Sequence, residues 1–492
     1  MIQLPTQTSQ SSSSTLLIRN AAILTLDDEY GFIAHGHVLV EGNVITAVSN
    51  GSAPETTSAV TIIDASGCLV VPGLINAHTH SQSATLPGFG DRLSHPAFMW
   101  LTQAHTARRT AEEIRLAVLL TAWAALGSGT TALIDHFPGQ RCTGQEIEAV
   151  LSAWRETGMR ATLGLRFFDA GFDDIFPAPG LIADDLRRRL EQANLLQPQP
   201  LPELRELATD AMARWHGRDG RLGVFPAPSN PDRCSDEALL LCAELAERYD
   251  SGIHTHLLET AKQAQLAQRR FGTSSLGRLH RLGVLTDRWS CAHCCWLDDG
   301  DIQLMSDAGA VAVLNPESNA RLGSGIAPIP ALLQAGVRLA LGTDGAGAND
   351  NLSMQEAMRA AATLHRTSQS SRNSWISARQ ALGFATQGGG VALRQPNIGR
   401  LAPGYLADVV IYRMDSPAWI PLNDPVSQLV FAETGSNVDT VVVDGEVLLS
   451  AGRPTRFDIQ GLRAEIGDMV RHLRLRNADL FAVAETIERK MP

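Results

Sequence analysis

The sequence predicts an α/β protein: a TIM-like (β/α)8 barrel joined to a small β-sandwich domain built from both chain ends. Three observations lead there. Between residues 69 and 397, eight apolar strand-like runs alternate with helix-like stretches, the order expected of parallel strands linked by crossover helices. Short strands with turns flank that middle on both sides, and neither flank is long enough to make a sandwich alone, so the two are expected to pack together. Histidines and acids recur where the strand-like runs end, which in such a barrel is the face that carries chemistry. An open, doubly wound sheet is the competing architecture.

Residues 1–15 form a polar, serine-rich leader expected to be disordered, because its composition offers little apolar surface to bury. Strands follow at 16–19, 22–25, 37–41, 44–48 and 60–64, with Glu41-Gly42-Asn43 as a hairpin connection. Barrel strands are expected at 69–76, 130–135, 160–167, 221–227, 252–257, 289–293, 310–315 and 338–343. Helical stretches such as 111–126, 145–156, 236–249, 298–307 and 354–365 separate them. Residues 169–220 are too long for a simple connection and predict an added helical lid or interface element. Strands return at 408–412, 438–443 and 446–449, around the turn Asp444-Gly445, and 458–474 and 477–490 read as closing helices. The predicted domains are the leader 1–15, a β-sandwich domain 16–68 plus 398–456, the barrel 69–397, and C-terminal helices 457–492.

Composition narrows the partners. With 44% hydrophobic and 19% charged residues the chain reads as globular, and its net charge of -11 argues against a nucleic-acid or anionic-membrane surface, which would need clustered Lys and Arg. Seven cysteines, an odd number without framework spacing, suit a reducing compartment. Cys291-Ala-His-Cys294-Cys295 has the look of a zinc knuckle but has no second Cys pair at the required spacing. No basic-then-apolar leader and no apolar run of about 18 residues occur, so the expected location is the cytoplasm.

The stretch Val71-Pro-Gly-Leu-Ile-Asn-Ala-His78-Thr-His80 ends the first barrel run with two histidines one residue apart. In an extended chain, both point to one side. The fifth run supplies His254-Thr-His256-Leu-Leu-Glu259, the sixth Cys291-Ala-His293 and the eighth Gly342-Thr-Asp344-Gly345. Together His78, His80, His256 and Asp344 offer three neutral imidazoles and a carboxylate, a set suited to Zn2+ or Fe2+. A water in an open coordination position would have its pKa lowered toward about 7. Glu259, just past its strand, could carry a proton from that water to a leaving nitrogen. His293 could hydrogen-bond the hydroxide or polarise the substituent on the carbon under attack. His254 is either a further ligand or a support packed behind the strand, and Asp135-His136 is either a substrate or supporting contact or a local cap. Ser318, Asn319 and Arg321 follow the seventh run and would border the pocket.

These motifs resemble the amidohydrolase superfamily. More narrowly, the His78-Thr-His80 stretch, His256-Leu-Leu-Glu259-Thr260, Ala-His293-Cys, Asn315-Pro-Glu-Ser-Asn319 and Leu-Gly-Thr-Asp344-Gly are similar to its aminohydrolase branch, over nearly the whole chain. That branch includes deaminases of adenosine derivatives, guanine, 8-oxoguanine and isocytosine, and triazine hydrolases. The resemblance implies one divalent metal, Zn2+ before Fe2+, on His78, His80, His256 and Asp344. It also implies proton transfer by Glu259, support of the water by His293, and a base role for Asp344. No lysine ends the fourth run, so a bridged two-metal site is not expected. Gln82, Trp100 and His105 after strand one are candidate substrate contacts or else packing residues, His136 is a further candidate, Asn319 either contacts substrate or stabilises its loop, and a homodimer is implied.

The predicted activity is a hydrolytic deamination that frees ammonia from an amino-substituted N-heterocycle such as a purine, pyrimidine, pterin or triazine. The alternative is a hydrolase of the same site type that expels chloride or an alkylamine from a triazine, or a cyclic amidase; a non-catalytic scaffold is the remote one. Because no paired basic residues for a sugar or carboxylate tail stand out, a free base or small heterocycle is favoured over a nucleoside.

Overall fold

The computed structural model describes residues 15–485 apart from 28–30, 54–59, 90, 139–140, 171–183, 186–187, 189–197, 368–370 and 483–484. The predicted leader lies outside the described residues except for Thr15, which already belongs to the first strand. Five strands open the chain: β1 (Thr15–Leu24), β2 (Phe32–Glu41), β3 (Val44–Asn50), β4 (Val60–Asp64) and β5 (Cys68–Pro72). Eight more alternate with helices: β6 (Leu74–Thr79), β7 (Thr130–Phe137), β8 (Arg160–Phe167), β9 (Leu222–Pro228), β10 (Ile253–Leu257), β11 (Trp289–His293), β12 (Val311–Leu314) and β13 (Arg338–Leu341). The last four are β14 (Val409–Arg413), β15 (Val438–Val443), β16 (Glu446–Ser450) and β17 (Arg453–Pro454).

One predicted run divides. The stretch 69–76 is two strands, because Pro72-Gly73 interrupts it: β5 pairs with β14 and β1, whereas β6 pairs with β7. Gly73 is needed at the break, since a Cβ there would stand 2.0 Å from Thr131 Oγ1. The flanking sheet therefore takes in the chain through Pro72, and the first of the parallel strands begins at Leu74.

The flanks also join differently from the expected sandwich. They form one continuous nine-stranded sheet in the order β17-β16-β15-β14-β5-β1-β2-β3, with β4 beside β1. The reason is β5, which accepts a strand from each chain end. The sheet bends until the β2–β3 turn meets the far side, where Ala407 N–H donates to Asn43 O at 2.8 Å. Val38, Ile45, Val70, Val409 and Val442 then share one core.

The barrel-type strands form two parallel four-stranded halves, β6-β7-β8-β9 and β10-β11-β12-β13. Hydrogen bonds bridge both seams, among them Asp344 N–H to His78 O at 2.9 Å and the Thr255 hydroxyl to Pro228 O at 2.8 Å. Their strand order and intervening helices make this a TIM-barrel-like arrangement. Helix Leu201–Trp215 buries Leu204, Ala208, Met212 and Trp215 and lies between β8 and β9. This part of the predicted insertion packs against β9 rather than forming a lid; most of 169–200 lies outside the described residues. Among the described residues no helix is long and apolar enough to cross a membrane.

Candidate metal and active site

Each candidate ligand is aimed by its own hydrogen bond. The Nδ1–H of His80 donates to His136 O at 2.8 Å and that of His256 to Ser229 O at 2.6 Å. A carbonyl oxygen only accepts, so both rings carry a proton on Nδ1, and in a neutral ring that leaves the lone pair on Nε2. Those two Nε2 atoms face each other at 3.2 Å, and Asp344 Oδ1 is 3.3 Å from His80 Nε2 and 3.7 Å from His78 Nε2. His78 uses Nδ1 toward His254 Nε2, at 2.8 Å, and its buried Nε2 has no hydrogen-bond partner. The ligand atoms of His78, His80 and His256 all lie within 4.8 Å of one another, as do those of His78, His293 and Asp344. Lone pairs facing each other beside a carboxylate fit a divalent cation and little else.

Electrostatics agree. Burial first, and the neighbouring imidazoles after it, push His78 and His256 well below the ordinary histidine range, so both rings are neutral donors. His254 is lowered to about 3, chiefly by burial, and passes its Nδ1 to Ser290 Oγ at 2.8 Å. It therefore supports His78 from behind the strand.

Strand-end geometry brings Asp344 into place. Asn76 of β6 donates to Thr343 Oγ1 at 2.7 Å and accepts from Thr343 N–H at 3.0 Å, which ties the end of β13 to the strand carrying His78. Gly342 lets the chains meet, because a Cβ there would lie 2.7 Å from His78 Cβ. Asp344 and His293 both take positive φ, 62° and 76°, and such strain is characteristic of functional positions. Helix Pro316–Arg321 then fixes both: the Ser318 hydroxyl donates to Asp344 Oδ2 at 2.6 Å, and Asn319 Oδ1 accepts from His293 Nδ1 at 2.8 Å. Asn319, expected at the substrate, instead holds His293 and does not line the cavity.

The site opens into a cavity of about 740 Å3, counting space open to solvent. His80, His256, His293, Asp344 and Glu259 all line it, and so do Gln82 and His136. Both ring nitrogens of His136, and Gln82 Oε1, are buried without a hydrogen-bond partner. Trp100 and His105 are not on the wall: His105 packs between Phe89 and Phe481, with ring centroids 4.7 and 4.8 Å away. Helical spacing explains this. On helix His95–Thr106 the residues at 95, 98, 99 and 102 share the cavity face, and 100 and 105 do not. Asp135 serves the backbone, accepting from Ser81 N–H at 2.8 Å and from Trp154 Nε1–H at 2.8 Å.

Three wall residues escaped the sequence reading. His95 Nε2 lies 3.2 Å from Glu259 Oε1. Arg166 and Arg233 converge on the Ser229 hydroxyl, at 2.8 and 3.2 Å. Arg166 sits at the end of β8, where the strand-end rule already pointed. These two arginines remove the ground on which a free base was favoured over a nucleoside. The Cys291, Cys294 and Cys295 thiols are buried, burial raises all three, and among the described residues the candidate ligand groups contain none of them.

Known proteins with this pattern are similar over nearly the whole chain. A 5-methylthioadenosine/S-adenosylhomocysteine deaminase from Pelotomaculum thermopropionicum is 32% identical over 95% of this chain and 100% of its own. A 5'-deoxyadenosine deaminase from Methanosarcina mazei is 34% identical over 90% and 95%. Among solved structures, a triazine hydrolase from Arthobacter aurescens superposes with a TM-score of 0.83 at 24% identity, over 93% of this chain and 99% of its own, and shares the fold. A zinc-bound adenosine deaminase from Xanthomonas campestris gives 0.81 at 26% identity, over 95% and 99%. The sequence pattern of the amidohydrolase family spans residues 69–448, the same stretch that brings the four ligand-type side chains together, and this chain belongs to that family.

Proposed function

We propose that this protein is a metal-dependent hydrolytic deaminase that frees ammonia from an adenosine derivative. The observation that carries the reading is the convergence of His80, His256, Asp344, Glu259 and His293 on one cavity, with His78 behind them at metal-sharing distance from its neighbours. The reading takes the two four-stranded halves as one closed barrel, with the seam bonds in support. His78, His80, His256 and Asp344 would hold one divalent ion, zinc before ferrous iron for this donor set. When bound, such an ion lowers the pKa of water and so supplies a nucleophile near neutral pH.

The chain's own groups then handle protons and orientation. The water oxygen bonds to the amino-bearing ring carbon and the C–N bond breaks; one water proton ends on the ring nitrogen and the other leaves in ammonia. Glu259, buried on the cavity wall, is the acceptor and donor for these transfers. Asp344 is a second acceptor. His293, fixed through Nδ1 by Asn319, presents its other nitrogen to the reacting substituent. Gln82 and His136 carry the buried polar atoms that a heterocycle edge would satisfy. Arg166 and Arg233 supply donors suited to sugar hydroxyls or a polar tail.

The names of the two deaminase relatives support an adenosine derivative modified at the 5' position. The resemblance also extends the reading to a cytoplasmic homodimer, the dimer being testable by light scattering. The decisive experiment offers the metal-loaded protein 5'-methylthioadenosine, S-adenosylhomocysteine, 5'-deoxyadenosine, adenosine, guanine, isocytosine, an aminopterin and chloro- or alkylamino-triazines. Ammonia from an adenosine derivative is expected. Chloride or alkylamine release from the triazines, without ammonia from any purine, would overturn the reading.

A further inference from the structure

Glu259 is gripped from three sides. Its backbone N–H donates to Gln263 Oε1 at 2.8 Å, inside the capping box that starts helix Ala261–Phe271. Its side chain meets the Ser324 hydroxyl from the loop after β12, at 3.3 Å, and His95 Nε2 from the segment after β6, at 3.2 Å. Both side-chain contacts fall on Oε1. Among the described residues no hydrogen bond falls on Oε2.

We propose that His95 is a positioning residue for Glu259, holding one carboxylate oxygen so that the other is left for proton transfer. The inference rests on the role assigned to Glu259 above and deepens it. Its physical basis is the geometry of a two-oxygen acid: a carboxylate that can rotate presents either oxygen, whereas one anchored at Oε1 presents Oε2 alone. Ser324 is a neutral donor to that anchor, and His95 is the ionisable one. Burial pushes the Glu259 carboxyl up, but His95 first and His293 after it outweigh this and hold it well below the usual carboxylate range. Arg233, on the turn after β9, adds to the same effect from a third element.

His95 also has a place in the fold that suits the task. It is the first residue of helix His95–Thr106, whose inner face forms one wall of the cavity through Phe98, Met99 and Thr102. The anchor on Glu259 is thus carried by the same element that contacts the substrate space. A shift of that helix would move the acid with it.

The test compares H95A, H95N and H95Q with wild type, all metal-loaded, using the adenosine derivative that releases ammonia fastest. H95A is expected to lose about tenfold or more in kcat, with KM within about threefold and metal content unchanged. H95N or H95Q, each able to place an amide N–H near Oε1, should recover part of the loss. A raised KM at unchanged kcat would make His95 a substrate contact and overturn the proposal; so would an unchanged kcat, or no recovery in either amide variant. A substrate-free readout stands beside these: in crystals of H95A the Glu259 carboxylate should occupy more than one rotamer, and an unmoved single rotamer would count against the anchor. E259Q separates this inference from the functional reading. If E259Q is inactive while H95A is intact, only the role of His95 is lost; if E259Q keeps full ammonia release, the proton-transfer assignment falls with it.

Discussion

Glu259, which is buried, and Glu317, which is half-buried, are two acids shifted in opposite directions by their surroundings. Glu259 faces His95 and His293 and stays ionised; Glu259→Gln is expected to fold and keep its metal while losing about 10^2 to 10^4 in turnover. Metal analysis beside the ammonia assay checks both halves, and full turnover would remove Glu259 from the chemistry. Burial, and then the Glu356 carboxylate, push Glu317 up to about 8, while Asn349 donates to it. Glu317 is lowered by Arg359, but too little to offset its other surroundings. An acid with a raised folded pKa favours the folded state when protonated. Its contribution is therefore complete below the unfolded value of 4.5 and is lost as pH rises toward about 8. Glu317→Gln should flatten that decline: relative to wild type, its melting temperature should gain a few degrees between pH 5 and 8, at up to about 1.4 kcal/mol per unit crossed. A constant difference across that window would show that Glu317 titrates normally.

At the level of elements, strand ends do the positioning and helix faces choose what reaches the cavity. Asn76 ties β6 to the end of β13 through two hydrogen bonds to Thr343, and so sets the approach of Asp344 to His78. Asn76→Ala should weaken metal binding by about 10- to 100-fold, read by chelator competition, although Asn76 is not a ligand. Unchanged affinity would show that the seam bond Asp344 N–H to His78 O suffices. The candidate ligands were legible in the sequence because each ends a strand, and strand ends can be found from short apolar runs. Trp100 and His105 do follow strand one, but their segment is a helix with one inward face, and neither lies on it. His95 carried no local sign, since its partner lies far along the chain.

For the molecule as a whole, the β domain is fastened to the barrel-like parallel strands at the end away from the cavity. Arg160, fully buried at the start of β8, donates to Asp408 at 3.0 Å and to Asp444 at 3.0 Å, and Arg221 meets Asp444 at 3.1 Å and Glu446 at 3.0 Å. Removing one partner of a buried pair leaves uncompensated charge, so Arg160→Ala should destabilise the protein by about 3–5 kcal/mol in denaturant titration. Ammonia release per folded molecule should stay near wild type, because the cluster lies at the start of the strands and the site at their ends. A loss of turnover without a loss of stability would mean that the two ends are coupled.

The sequence by itself determined the alternation of strands and helices, the two flanking β segments, and which residues end the strands, because hydrophobic period and turn chemistry are local properties. It thereby named His78, His80, His256, Asp344, Glu259 and His293. Only the tertiary structure decided what sits opposite what: Asn319 behind His293, His254 behind His78, Arg166 and Arg233 on the cavity wall, and His95 against Glu259. Those pairings join residues far apart in the chain, and no local period or spacing encodes a contact that exists only once the strands are packed side by side.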